Sequence, residues 1–372
     1  MKAFSDLVAK RHDYAREWKA RTGGKVLGYF CTYVPEELVR AAGVLPVRIL
    51  GSHEPDNVAE RHIYSMYCPF CRDCLAQGLR GRYEYLDGIA IAHSCIHIRQ
   101  AFSSWRLHVP VSYDYYIFMP AKPQSPAAQV LLAKEYQAFR ESLEEWTGRP
   151  ITNAALRESV EAANTGRQLL KEVYELRKSA SPPLTGAEAM EMTVSGQMME
   201  RQEHNDLIRQ ALVELKGRAP QGDPGVRLMI VGSEDDDTEM IRLIESQGAR
   251  VVIDDHCTGS RNFWNLVELK DDLVYDIATR YIQRPPCPQK DWEGRRRLDH
   301  IRALARDYGV QGAIVIQQKF CDPHELDNPV IISLLQDEFN IPCLFLEFDV
   351  TIPVGQFKVR IEAFLEMLRL EV

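Results

Sequence analysis

Short apolar runs alternate with amphipathic segments in the first third of the chain. The runs GKVLGYF (24–30), LPVRILG (45–51), YLDGIAIAH (85–93) and VPVSYDYYIFMP (109–120) predict strands, and the first is apolar enough for a buried parallel strand. Between the first two lies VPEELVRAAG (34–43), a helical pattern with acidic residues in its first turn and a terminal glycine. Strands that alternate with helices predict a parallel α/β sheet.

The same alternation returns in the last third of the chain. A strand followed by a loop is predicted in VRLMIVGSEDDD (226–237), ARVVIDDHCTGSR (249–261) and QGAIVIQQKFCDPHE (311–325). IPCLFLEFDV (341–350) is a late strand pattern, and a helical pattern closes the chain at 356–370. The two ends resemble each other in layout, although no strict sequence repeat joins them. We therefore predict two Rossmann-like units, each a doubly wound parallel sheet.

The middle of the chain has helical periodicity from about 126 to 217 and no strand pattern, so we expect a helical segment between the two units. RAPQGDPG (218–225) has the proline and glycine content of a linker. The predicted organisation is an N-terminal helix and first unit at 1–125, a helical insertion and linker at 126–222, and a second unit at 223–372.

Charge and hydropathy limit which partners and which cellular location the protein can have. The 372 residues carry a formal net charge of −8, which argues against nucleic acid or an anionic membrane as a partner. No run of about 18 apolar residues is present, and the start of the chain is a charged helical pattern without the apolar core of a signal peptide. We expect a cytoplasmic protein that does not enter a membrane.

The chain contains nine cysteines, an odd number that weakens any disulfide framework. Cys68, Cys71 and Cys74 form a CxxCxxC motif. Three further cysteines follow predicted strands directly, and the carboxyl ends of parallel strands share one edge of a sheet. These three residues, which we expect to face the same crevice as the CxxCxxC loop, are Cys31, Cys95 and Cys321.

Several chemistries use such cysteine spacings. Structural zinc usually takes two short knuckles, and this chain has one knuckle of three cysteines with no second one. A thioredoxin-like dithiol uses a single CxxC. Iron–sulfur clusters take thiolates from both clustered and scattered cysteines, so the cysteine pattern favours an iron–sulfur cluster. The main alternative is that these cysteines are small apolar residues of the core.

The other three cysteines have weaker patterns. Cys343 lies inside an apolar strand and is expected in the core, and Cys287 lies between prolines in a loop and is assigned no role. Cys257 follows a strand beside His256, but nothing else near it in the sequence resembles a ligand set.

Five blocks in order along the chain carry a family resemblance. GYFCTYVPEELVRAAGVLPVRILG, CPFCRDCLAQGLRGRYEYLDG, AHSC, QQKFCDPHELDNPVI and IPCLFLEFDV together resemble the 2-hydroxyacyl-CoA dehydratase / benzoyl-CoA reductase family. The first two blocks, with PPLTGAEAM, look most similar to the smaller cluster-binding subunits of ATP-dependent (class I) benzoyl-CoA reductase.

The resemblance implies an iron–sulfur site. The cysteine of the family's C-x-x-x-R motif matches Cys68, with Arg72 as the arginine, and Cys95 and Cys321 match the other two ligands of a 4Fe–4S cluster. Some relatives hold a double cubane, an 8Fe–9S cluster with three thiolates for each cubane. Three extra thiols of this chain bring the total to the six that a double cubane needs; these are Cys31, Cys71 and Cys74. A single 4Fe–4S cluster is the alternative.

The implied activity is the two-electron reduction of benzoyl-CoA to a cyclohexadiene-carbonyl-CoA. The resemblance also implies a homologous sister subunit and ATP-hydrolysing activator subunits with their own 4Fe–4S cluster, since VGSEDDD is not a phosphate-binding loop. The candidates for proton donation or hydrogen bonding to the cluster are His93, His97 and His324. The alternatives are a dehydratase subunit, a double-cubane reductase of another substrate, and a non-catalytic subunit that only shapes the CoA pocket.

Overall fold

The structure is a computed structural model that describes residues 1–219, 225–234, 236–291 and 294–371. Within these ranges it contains two four-stranded sheets, and every strand pair in both sheets is parallel. The predicted α/β class with two Rossmann-like units is therefore confirmed. Most of the predicted linker at 218–225, and the predicted boundary at 222/223, lie outside the described residues.

The two sheets share one strand order, in which the first strand of each unit lies between the second and the third. The first sheet has the order β2-β1-β3-β4, and the second has the order β6-β5-β7-β8. This order creates a switch point between the first and third strands, beyond whose carboxyl ends ligands bind in such folds. The strands are β1 Val26–Tyr29, β2 Leu45–Arg48, β3 Gly88–Ala92, β4 Tyr113–Ile117, β5 Val226–Gly232, β6 Ala249–Asp255, β7 Gly312–Gln318 and β8 Cys343–Phe348.

Helices cover the sheets and fill the region between the two units. In chain order they are α1 Lys2–Ala9, α2 Arg11–Thr22, α3 Glu36–Ala41, α4 Pro69–Leu79, α5 Ile96–His108, α6 Ala127–Thr147, α7 Asn153–Glu175, α8 Gly186–Ser195, α9 Arg201–Gly217, α10 Thr238–Ser246, α11 Ser260–Phe263, α12 Leu273–Gln283, α13 Arg296–Asp307, α14 Asp322–Phe339 and α15 Val354–Glu371. Single 3₁₀ turns occur at Asn57–Ala59, Leu176–Lys178 and Pro288–Lys290.

The helical segment α6–α9 packs against both units. Helix α7 contacts α3 of the first unit, whereas α8 contacts β6 and α10 of the second. A capping box at Thr185 and Glu188 fixes the start of α8 within the sequence PPLTGAEAM. The helical segment is therefore part of the joint between the units rather than a separate appendage.

The opening helical pattern forms two helices, with a break at Lys10, whose φ of −107° and ψ of 27° are not helical. Phe4 on α1 packs into the core of the second unit, whereas Ala15 and Trp18 on α2 pack into the core that contains the first sheet. The break lets one short segment serve two cores. Amphipathic periodicity alone did not predict it.

The end of β5 requires glycine because two backbones come very close there. Gly232 has a φ of +125°, and a Cβ at this position would lie 2.1 Å from the carbonyl oxygen of Ile316 on β7. The next residue, Ser233, donates its N–H to the same carbonyl at 2.8 Å. Among the described residues, no helix combines the length and apolarity needed to cross a membrane.

Candidate metal centre

A cavity with about 720 Å³ of empty space, including the solvent at its mouth, lies where the carboxyl ends of the two sheets face each other. Its walls come from both units, and much of the lining is apolar, including Phe30, Phe70 and Ile98. Seven of the lining residues are cysteines, a concentration of soft sulfur ligands in one place. These seven are Cys31, Cys68, Cys71, Cys95, Cys257, Cys287 and Cys321.

Three of these cysteines begin helices. Cys68 is the N-cap residue of α4, Cys95 of α5 and Cys321 of α14. The N–H of Ile98 donates to Cys95 Sγ at 3.5 Å. The N-terminus of a helix carries partial positive charge, which stabilises a nearby thiolate or an anionic cluster. The three cysteines that the family resemblance names as cubane ligands therefore share one electrostatic setting.

The CxxCxxC motif spans the cap and first two turns of α4, and the structure divides its members. Cys68 and Cys71 reach the cavity wall. Cys74 lies one turn farther along the helix, with no exposed surface and with its Sγ 3.7 Å from the carbonyl oxygen of Ile49. The described lining does not include Cys74, whose role as a ligand stays a prediction.

Cys31, which follows β1 closely, lies on the cavity wall as expected from its position. Its thiol donates to the Ser94 hydroxyl at 3.1 Å, and this contact joins the ends of β1 and β3. Sequence reasoning missed two further thiols of the wall, Cys257 and Cys287. The signal for Cys257 was its position just after β6, but nothing local in the sequence marks Cys287.

Long-range contacts position these two additional cysteines. A guanidinium N–H of Arg48, at the end of β2, donates to Cys257 Sγ at 3.3 Å. The backbone N–H of Cys287 donates to the Tyr33 hydroxyl at 3.0 Å, although the two residues are 254 positions apart. These contacts form only when the two units meet.

Burial holds most of the cavity thiols in the protonated form. Burial raises the pKa of Cys95 well above its ordinary value, and the Cys321 thiol nearby adds to the effect. Burial likewise raises the pKa of Cys287 to about 12, against the opposing charge of Arg261. Because metals bind thiolates, a metal group held by these cysteines would displace their protons.

Cys257 differs from the other cavity thiols. Burial alone would raise the pKa of this thiol, but Arg48 and Arg261 outweigh that effect and hold its pKa below the ordinary value. Both arginines line the cavity and are almost fully buried. Arg48 comes from β2 of the first sheet and Arg261 from α11 of the second unit, so both units supply positive charge that suits an anionic group in the cavity.

The predicted histidines occupy three different settings. His97 lines the cavity, and its Nδ1 accepts the Cys68 N–H at 2.8 Å, so its proton lies on Nε2, 3.5 Å from an Asp322 carboxylate oxygen. His324 also lines the cavity, where burial and then Arg297 lower its pKa well below the usual range. His93 is not part of the lining that the structure describes and packs beside Tyr116.

Arg72, the arginine of the C-x-x-x-R motif, connects the two units. Its guanidinium contacts an Asp56 carboxylate oxygen at 2.5 Å and one of Asp349, just beyond β8, at 2.6 Å. Its Nε–H donates to the Tyr67 carbonyl at 3.0 Å. Arg72 thus holds the cysteine loop against the second unit and is not itself part of the described lining.

The donor set fits an iron–sulfur cluster better than a single ion. Within the described parts of the chain, no three His, Cys, Asp or Glu side chains come close enough together to hold one metal ion. The thiolates of a cubane bind different iron atoms, so they stand farther apart around the cluster. Seven thiols around an apolar cavity, with three helix N-termini and two arginines, meet that requirement.

Comparison with known proteins gives a consistent family. A family model described as "2-hydroxyglutaryl-CoA dehydratase, D-component" matches residues 31–368. The range begins at Cys31, just after β1, and includes the other seven strands and all seven cavity cysteines.

Curated relatives cover most of the chain at low identity. The (R)-phenyllactyl-CoA dehydratase beta subunit of Clostridium sporogenes is 26% identical over 98% of this chain and 97% of its own length. One of the benzoyl-CoA reductase subunits of Thauera aromatica is 28% identical over 85% of this chain and 84% of its own length. The (R)-2-hydroxyglutaryl-CoA dehydratase beta subunit of Acidaminococcus fermentans is 25% identical over 98% of each chain.

Proposed function

Because this chain belongs to the 2-hydroxyglutaryl-CoA dehydratase D-component family, we propose that it is the iron–sulfur subunit of an ATP-dependent reductase of the benzoyl-CoA reductase type. The observation that carries the proposal is the convergence of seven cysteines on one apolar cavity between the two sheets. A plain three-thiolate cubane needs fewer thiols than this cavity offers. A double cubane, with three thiolates for each half, uses almost all of them.

When bound, such a cluster supplies single electrons at low potential. The chain's own residues prepare the cavity for this group. The amino ends of α4, α5 and α14 and the guanidinium groups of Arg48 and Arg261 stabilise negative charge there. The apolar walls exclude water and strengthen each of these interactions.

The proposed reaction adds two electrons and two protons to the aromatic ring of benzoyl-CoA and gives a cyclohexadiene-carbonyl-CoA. A residue of this chain that can hold a proton near the cavity is His97, whose Nε2 carries hydrogen because its Nδ1 accepts the Cys68 N–H. The lowered pKa of His324 keeps its imidazole neutral near pH 7, and a neutral imidazole is a poor proton donor.

The electrons come from partner subunits. The sequence contains no GxxxxGK[ST] phosphate loop, so the chain does not hydrolyse ATP through that motif. The relatives described above are named as subunits, which supports a complex with a homologous sister subunit. The ATP-hydrolysing 4Fe–4S activator in this proposal rests on the family resemblance. We propose the reducing cytoplasm as the location, because unpaired thiols persist there.

The test is turnover by the complex purified without oxygen. The complex is supplied with ATP, a low-potential reductant and benzoyl-CoA, and the products are identified by mass spectrometry. The proposal predicts a product two mass units heavier than benzoyl-CoA, with ATP hydrolysed and two electrons consumed per product. No reduction of any aromatic acyl-CoA, in a preparation that contains its iron and its activator, would contradict it.

A dehydratase subunit is the second candidate, favoured by the names of two relatives that match 98% of this chain. Such an enzyme removes water from a 2-hydroxyacyl-CoA and returns the electron it uses. The same preparation distinguishes the two candidates. Dehydration of phenyllactyl-CoA, lactyl-CoA or 2-hydroxyglutaryl-CoA without net consumption of reductant would establish the second.

A further inference from the structure

We infer that Cys31, Cys257 and Cys287 form a second thiolate set in the cavity, and that Cys74 is not a ligand. The inference rests on the cluster of the proposed function and deepens it, because it assigns two ligands, Cys257 and Cys287, that neither the sequence pattern nor the family resemblance provides. In the two ligand sets, these two cysteines from the second half of the chain take the places of Cys71 and Cys74 of the CxxCxxC motif.

The cavity thiols separate into two groups in space. In the first group, Cys68 lies close to Cys71 and Cys321 on the cavity wall, near enough for both thiols to act on that of Cys68. In the second group, the thiols that interact electrostatically with Cys287 are those of Cys31 and Cys257. Cys95 lies between the groups, since the thiols of both Cys321 and Cys287 act on it.

Each member of the second group is fixed by a contact outside the group. Cys31 donates its thiol hydrogen to Ser94, Cys257 accepts from Arg48, and the Cys287 backbone is held by Tyr33. The three cysteines come from the end of β1, the end of β6 and the segment after α12. A site built by elements this far apart in the sequence is preorganised by the fold rather than by a local motif.

Cys74 has a different environment. It lies outside the described lining of the cavity, and its thiol faces the Ile49 carbonyl. The carboxylates of Asp73, Glu234 and Asp236, and the guanidinium of Arg48, act electrostatically on this buried thiol. Carboxylates next to the thiol repel the negative charge that a ligating thiolate would carry. The helical spacing that brings Cys71 to the wall leaves Cys74 one turn away.

Two sets of three thiolates then surround the cavity. The first is Cys68, Cys95 and Cys321, the set that the family resemblance indicates, and Cys71 stands beside it as an additional thiol. The second is Cys31, Cys257 and Cys287. The guanidinium of Arg48 contacts the second set directly through Cys257 Sγ, so the two halves of a double cubane would have different hydrogen bonding and different potentials.

The experiment compares serine variants in the complex purified without oxygen, with Cys74→Ser as the matched control for Cys257→Ser and Cys287→Ser. Iron and acid-labile sulfide are measured per chain, and Mössbauer spectra report the iron sites. We expect about eight irons in the unsubstituted protein and in Cys74→Ser, and about half of that in Cys257→Ser and Cys287→Ser.

Retention of all iron in both Cys257→Ser and Cys287→Ser, with loss in Cys74→Ser, would overturn the ligand assignment and leave the proposed function intact. About four irons in the unsubstituted protein would overturn the second set as well. No iron or sulfide in the unsubstituted complex would instead refute the proposed function.

Thiol alkylation followed by peptide mass spectrometry gives a second readout that does not depend on the folding of variants. In the native complex, Cys257 and Cys287 should be protected from alkylation by the cluster. After chelation and oxidation remove the iron, we expect at least a tenfold rise in their labelling. Equal labelling before and after iron removal would contradict their assignment as ligands.

Discussion

Replacement of Arg72 by methionine should loosen the joint between the two units without removing a cavity thiol. The Arg72 side chain is 10% exposed and donates to Asp56, Asp349 and the Tyr67 carbonyl. Hydrogen bonds to charged groups contribute about 1.5–3 kcal/mol each. Asp56 and Asp349 are 17% and 38% exposed, so water recovers part of the interaction when the arginine is removed. We therefore expect a loss of about 2–4 kcal/mol in the free energy of unfolding.

The assay is urea unfolding under anoxic conditions, with release of iron followed in the same samples. Arg80→Met is the matched control, because Arg80 follows the same helix and pairs with the 44% exposed Glu54 at 3.3 Å. A surface pair of this kind is worth less than about 1 kcal/mol. We expect earlier unfolding and faster iron release for Arg72→Met alone. Equal unfolding midpoints and equal iron release in the two variants would refute the assigned role of Arg72.

Further predictions concern buried charges, a buried histidine and the cavity thiols. Glu37→Gln should cost about 3–5 kcal/mol in denaturation experiments, because fully buried Glu37 accepts hydrogen bonds from Arg167 and Tyr281; a loss below about 1 kcal/mol would contradict this. Burial and then Arg201 lower the pKa of His204 to about 3. Below about pH 6.5 the unfolded state therefore binds a proton that the folded state does not, and the free energy of unfolding falls by up to about 1.4 kcal/mol per pH unit. Unfolding at several pH values should show a shallower slope for His204→Gln, and an unchanged slope would be inconsistent with that origin. Since burial raises the pKa of Cys287 to about 12, protons compete with iron, and iron release to a chelator should accelerate from pH 8 to pH 6; a rate independent of pH would contradict this.

The strand pattern was sufficient to predict the fold class. Continuous apolar runs such as GKVLGYF and AIVIQQKF reflect strands buried on both faces, and each of the eight strands falls within a segment predicted to contain one. The shared strand order of the two sheets was visible only as a similarity of layout. The break at Lys10 was not predictable, because it depends on which core each half of the N-terminal segment meets.

The sequence predicted those parts of the candidate site that lie at the ends of strands. Cys31, Cys95 and Cys321 reach one cavity because each follows a parallel strand. Cys287 could not be found in this way, since it lies in a proline-flanked segment and is positioned by Tyr33 from the other unit. The motif spacing could not tell Cys71 from Cys74, because the distance of each thiol from the cavity depends on how α4 packs.

Glu36 and Glu37 illustrate the same limit. Acidic residues in a first turn are expected to serve the helix dipole at the surface. In the structure both carboxylates instead enter a buried ion-pair network with Arg167 of α7, and Glu36 also pairs with Arg201 of α9. The partners come from the helical segment, so the pairing depends on packing that local patterns do not show.

The central claim is that the cavity between the two sheets holds an iron–sulfur cluster. The most direct measurement is iron and acid-labile sulfide per chain in the complex purified without oxygen, with zinc measured in the same sample. The account predicts about eight irons and about nine sulfides per chain, without tightly bound zinc. Stoichiometric zinc without sulfide would contradict it.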